Sequence, residues 1–118
     1  MPGAGFMSRV KNAFGANSAI NNTVAAATTV YVPDGLSVVN LTGTATITSL
    51  QADIGSRGRL VHFIQSDTGA TTFTNTDSTT TANQMDLGGS NVVLGQTDVL
   101  TLYLQSNGVW LAFYTKNN

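Results

Sequence analysis

The stretch TDVLTLYLQSNGVWLAFYTKNN, residues 97–118, constrains the fold of this chain more than any other. Two apolar runs, Val99 to Leu104 and Val109 to Tyr114, flank Ser106-Asn107-Gly108. Asn-Gly between two β-favouring runs is the strongest short hairpin signal, because both residues accept the positive φ that a tight turn demands. In a surface hairpin one face is apolar and the other polar. Here both runs carry large side chains at odd and even positions, so each strand needs two covers. Strict alternation puts Val109, Leu111 and Phe113 on one face and Trp110, Ala112 and Tyr114 on the other. The interior of the domain supplies one cover, and a partner is expected to supply the second.

The rest of the chain reads as β structure as well. Charged residues are only 9% of the 118, against about 25% in typical domains. The acids are six Asp, with no Glu, and Thr, Asn, Ser and Gly carry the polarity. Thr is β-branched, while Asn, Ser and Gly compete with helix hydrogen bonding, so the mixture disfavours helices. Strands are expected at residues 28–32, 36–40, 45–50, 59–65, 71–73, 84–87, 91–94, 97–105 and 109–115. Pro33-Asp34-Gly35, Thr42-Gly43, Asp67-Thr68-Gly69 and Gly88-Gly89-Ser90 punctuate them with turn chemistry. The polar segment from Thr74 to Gln84 is an exposed loop. This pattern predicts an all-β fold: a compact antiparallel β-sandwich, jelly-roll-like or barrel domain over residues 28–118.

Residues 1–27 differ. They are rich in Gly, Ala and Asn, with apolar anchors at Phe6, Met7, Val10, Phe14 and Ile20. Phe6, Val10 and Phe14 recur every fourth residue, on one face of a short helical turn. The segment cannot build a core of its own. It is expected to be an extended N-terminal arm that docks on a neighbouring subunit or shell.

Composition excludes several activities. A net charge of −1 with five Lys and Arg makes no basic stripe, so no nucleic acid is expected. No run approaches the ~20 apolar residues of a membrane span. Without Cys there is no disulfide and no thiol nucleophile, and one His with no Glu leaves no zinc ligand set. Asp67, Asn75 and Asp77 offer oxygens from neighbouring loops, but without the spacing of a calcium loop. His62, in GRLVHFIQ, shares a face with Leu60 and Ile64 and has no marked Ser or Asp partner for a catalytic triad. No catalytic residue, cofactor or metal is assigned. His62, Leu60, Ile64, Tyr103, Trp110 and Tyr114 are read as core or subunit interface. Arg57 and Arg59, in GSRGR, are read as turn arginines poised for salt bridges between subunits, because the basic surround of a phosphate site is missing.

Residues 41–115 resemble a β-domain of tailed-bacteriophage virion proteins. The resemblance rests on a layout: LTGTATITSL, then GSRGRLVHFIQ, a Thr-rich loop, an Asn-Gln segment, and GQTDVLTLYLQSNGVWLAFY, with Asp98, Leu100, Leu102, Gly108 and Trp110 as its most recognisable part. It implies a structural, non-enzymatic role, most like a capsid decoration (cement) protein. Such a protein would be a homotrimer on the exterior of the phage head, made in the bacterial host cytoplasm and bound to the major capsid protein. The short arm leading directly into the domain fits that layout better than a long fibre. A tail-fibre or head-fibre tip is the alternative, with the 74–84 loop touching a host glycan. A carbohydrate-binding module using Trp110, Tyr103 and Tyr114 is a further one.

Overall fold

A computed structural model describes residues 22–116. The anchors Phe6, Met7, Val10, Phe14 and Ile20 lie outside the described residues. Eleven short strands follow in order: β1 (Thr23–Ala25), β2 (Thr29–Tyr31), β3 (Val38–Thr42), β4 (Ala45–Ile47), β5 (Ser49–Gln51), β6 (Arg59–Gln65), β7 (Thr71–Phe73), β8 (Met85–Asp86), β9 (Val92–Leu94), β10 (Val99–Leu104) and β11 (Trp110–Lys116). One 3-10 turn, Ile54–Ser56, precedes β6, and no α-helix occurs among the described residues. The fold is all-β, as the composition predicts.

The connectivity differs from an antiparallel sandwich or barrel. β1 pairs in parallel with β3 and β3 in parallel with β6. β2 pairs in parallel with β5, and β4 with β7. Thr23 stands opposite Asn40, Thr29 opposite Ser49, Val38 opposite His62 and Ala45 opposite Thr71, so partners lie 17, 20, 24 and 26 residues apart. The chain therefore winds in rungs, and each strand sits on the one made a turn earlier. This is a β-solenoid. Most of the turn signals in the sequence are corners between sheets rather than hairpins. Pro33-Asp34-Gly35, for example, leads from β2 in a two-stranded sheet to β3 in a six-stranded one. A further corner at Thr48 splits the expected 45–50 strand into β4 and β5, with the Thr28 carbonyl accepting from the Thr48 amide at 2.8 Å. The first rung begins at Thr23, inside the segment read as arm. Thr23-Val24-Ala25 is too short and too small-sided to be read as a strand without its partner Asn40-Leu41-Thr42.

After β8 the chain reverses. β9 pairs antiparallel with β7 and β10 antiparallel with β6, and β11 turns back on β10 through the one hairpin that the sequence marks most strongly. Gly108, at φ +88°, takes the left-handed position, and the Gln105 amide bonds the Val109 carbonyl at 3.0 Å. The three sheets enclose a single interior. Val39, Leu41, Val61, Phe63, Phe73, Leu100, Leu102 and Trp110 fill it. Phe63 meets Phe73 and Trp110 edge-on, with ring centroids 5.4 and 6.0 Å apart. The Trp110 indole N–H donates to the Leu50 carbonyl at 3.0 Å, so the largest side chain is buried with its polar atom satisfied.

One corner holds rungs two and three together. Buried Gln65 donates to the Gly43 carbonyl at 3.0 Å and to Asp67 Oδ1 at 2.8 Å, and accepts from the Thr71 hydroxyl at 2.6 Å. Asp67 accepts from the Gly43 and Gly69 amides, both at 2.9 Å. These backbone donors, then the Gln65 amide, hold the Asp67 carboxyl below its usual range. Its oxygens are thus committed to the corner. Asn75 and Asp77 bond each other at 3.0 Å, and no cluster of metal-binding side chains occurs among the described residues. Gly69 has no room for a side chain, because a Cβ there would stand 2.1 Å from the Gly43 carbonyl oxygen.

Gly69→Ala is expected to cost ~3 kcal/mol or more, since the obstructing atom is backbone and cannot rotate away. Gly55→Ala, in open space, is expected to change stability by less than ~0.5 kcal/mol. Thermal melting of the two variants tests the contrast. Asp67 is also expected to tie stability to pH. Its folded carboxyl is shifted down, so its contribution is present above the unfolded value of about 3.9 and is lost as pH falls through the lower folded value. Asp67→Asn should flatten that acid limb in denaturation curves recorded from pH 6 to pH 2.

Candidate interface on the six-stranded sheet

The large sheet runs in the order β1-β3-β6-β10-β11-β8. Alternation along its strands sends one set of side chains inward. Val61, Phe63 and Gln65 of β6, and Leu100, Leu102 and Leu104 of β10, are all buried. The opposite set is Leu60, His62 and Ile64 with Val99, Thr101 and Tyr103, and it points away from the interior; Thr101 is buried among its neighbours, Leu60 is exposed and the other four are half-buried. The register places Val99 by Ile64, Thr101 by His62 and Tyr103 by Leu60, so these six form two columns on the outer face.

β11 completes the face through a β-bulge. Leu104 pairs with Trp110 and Leu102 with Ala112, but Thr101 pairs with Tyr114, leaving Phe113 as the extra residue. A bulge inserts one residue and so breaks the strict two-residue alternation. Trp110 and Ala112 point into the core, whereas Tyr114 joins Thr101 outside. The even alternation expected from sequence therefore holds only from Trp110 to Ala112: Val109 is fully buried although Leu111 and Phe113 are exposed, and Tyr114 lies on the face opposite Trp110. Phe113 and Tyr114 stand side by side on the outside, 67% and 58% exposed. Leu60, Val99, Phe113 and Tyr114 line an apolar groove of about 430 Å³, with His62 and Thr101 in its wall and Lys116 at its end. His62 Nδ1 and the Thr101 hydroxyl are 2.7 Å apart, which fixes the ring across the strand pair.

Of the six residues read as core or interface, Trp110 is core. Leu60 and Tyr114 are exposed, and His62, Ile64 and Tyr103 are half-buried on the outer face. The two arginines lie elsewhere and bind carbonyls of their own chain. Arg57 Nη1 donates to Ser106 at 2.9 Å, and Arg59 Nη2 to Leu36 at 3.2 Å. Arg57 thereby ties the third rung to the hairpin turn, and Arg59 ties it to the second rung. Sequence reasoning missed Phe113 and Lys116 as neighbours of His62, because only the bulge brings them there. It also missed Ile54, the most exposed large apolar residue of the described chain, at 76%.

Among the described residues the groove is an apolar surface on the outer face of the sheet, of the kind that marks contact with a protein, a membrane or a ligand. Comparison with known proteins finds no matching family model, no matching curated protein and no matching solved structure.

Two substitutions separate the faces of the hairpin. Trp110→Ala is expected to lose about 3–5 kcal/mol, because it empties the core and strands the Leu50 carbonyl. Compared as dissociated chains, Phe113→Ser is expected to stay within about 0.5 kcal/mol of the native sequence, since the removed ring is 67% exposed on the single chain. Denaturant midpoints of the two variants check the assignment.

Proposed function

We propose that this chain is a structural assembly protein whose copies associate through the outer face of the six-stranded sheet, and that it serves as a capsid decoration (cement) protein on a phage head. The observation that carries the reading is the groove walled by Leu60, Val99, Phe113 and Tyr114 on a face where β6, β10 and β11 present few charges. Leaving that face in water costs roughly 25 cal/mol for each Å² that a neighbour would cover. The layout shared with phage virion β-domains supports a homotrimer, and a major capsid protein is the partner proposed for residues 1–21. The work of such a protein is mechanical. Many weak identical contacts, repeated over a shell, raise the force needed to part its subunits. Short rungs locked by backbone bonding around an apolar core suit that load.

Three measurements test this. The purified chain should have the mass of a trimer at micromolar concentration. Deleting residues 1–21, which precede β1, should leave the trimer intact and abolish binding to shells. Purified particles should carry many copies; a handful per particle would instead favour a fibre tip, and a stable monomer would remove the assembly reading.

A further inference from the structure

A closed ring of three needs more than one sticky face. Face-to-face pairing of identical patches stops at two copies, whereas a threefold ring joins two different patches on each copy. If the groove is one of them, the chain must carry a second that fits it. Large apolar side chains exposed away from the six-stranded sheet are Tyr31, Ile54 and Val93. Ile54 stands out. It sits on the 3-10 turn beyond β5, it is the most exposed of the three, and it does not line the groove of its own chain.

The surroundings of Ile54 complement the groove in charge. Its neighbour Asp53 accepts from the Tyr31 hydroxyl at 3.0 Å, so Tyr31 and Ile54 flank an exposed carboxylate. Asp34 lies close by and accepts from Ser56 at 3.1 Å. The Asp53 hydrogen bond, together with burial and the charges of Asp53 and Asp34, holds the Tyr31 phenol above its usual range, as expected in an anionic patch. The groove has the opposite character. Among the described residues that line it, Lys116 is the one Lys or Arg, bonded at 3.5 Å to the Thr97 carbonyl, and none is Asp or Glu. An ammonium has three donors, so the carbonyl leaves capacity for a partner.

We propose that Ile54, flanked by Tyr31 and Asp53, seats in the apolar groove of a neighbouring copy, with Asp53 facing Lys116 of that copy. The contact is head-to-tail, the class of contact from which a closed ring of three is built. This rests on the reading that copies of the chain associate through the groove, and it adds the identity of the occupant. The charge pair selects register and orientation, and the apolar seat supplies the adhesion.

Mixing full-length variants tests it. Ile54→Asp keeps an intact groove, and Phe113→Asp keeps an intact knob. Each alone should be monomeric while keeping the native fold by circular dichroism, because both positions are exposed on the single chain. Mixed one to one, they should form a dimer of one copy of each, which cannot close. Asp53→Lys should weaken self-association ~10-fold or more, and adding Lys116→Asp to it should restore the native mass. An Ile54→Asp chain that still forms the native oligomer overturns the knob while leaving the groove reading in place. Two monomeric variants that fail to pair on mixing overturn the head-to-tail arrangement. A native chain that is monomeric removes the assembly reading and this inference together.

Discussion

The spacing between rungs two and three depends on the approach of Gly69 to the Gly43 carbonyl. Parallel strands one rung apart must stay about 4.8 Å from each other along their whole length, corners included. At a corner, side chains from successive rungs converge, and here there is no room for even one methyl group. Asp67 accepts from both glycine amides and Gln65 donates to the Gly43 carbonyl, so this close approach is also densely hydrogen-bonded. Both neighbouring parallel ladders, β3 with β6 and β4 with β7, run out from this corner. A shift of the corner would put both out of register, and Val39, Leu41 and Phe73 would no longer meet the same interior.

A second constraint acts at the other end of the core. β11 must bury Trp110 and Ala112, yet it also delivers two aromatic rings to the outside. Regular alternation cannot place Phe113 and Tyr114 on one face. The bulge at Phe113 does so with one extra residue, and it leaves the core packing of Trp110 untouched. An inward-facing strand thus becomes an outward-facing one without a turn.

The sequence carried the local structure well and the pairing poorly. Arg59–Gln65 and Thr71–Phe73 are strands with the bounds that alternation and turn residues imply. Asn107-Gly108 does make the tight hairpin. Those signals are local, and local chemistry is what a single sequence expresses. The parallel pairings were not legible, because a corner and a hairpin use the same Gly, Asp and Pro, and what separates them is a partner 17 to 26 residues away. Rung lengths that grow along the chain also hide the repeat that would have marked a solenoid. The outer face was half legible. Leu60, His62 and Ile64 share a side as alternation requires, whereas Tyr114 changes side at a bulge that no residue of β11 announces.

The bond between the Trp110 indole and the Leu50 carbonyl spans sixty positions of the chain. Its consequence lies in the order of synthesis. A ribosome releases every rung before it releases the residue that seals them, so Phe63 and Phe73 are made with one side still uncovered. The nascent rungs must wait for the hairpin, and until it docks they present the parallel edges and apolar rings on which chains stick to each other. The rate at which residues 99–116 fold back therefore sets how long those rings stay uncovered.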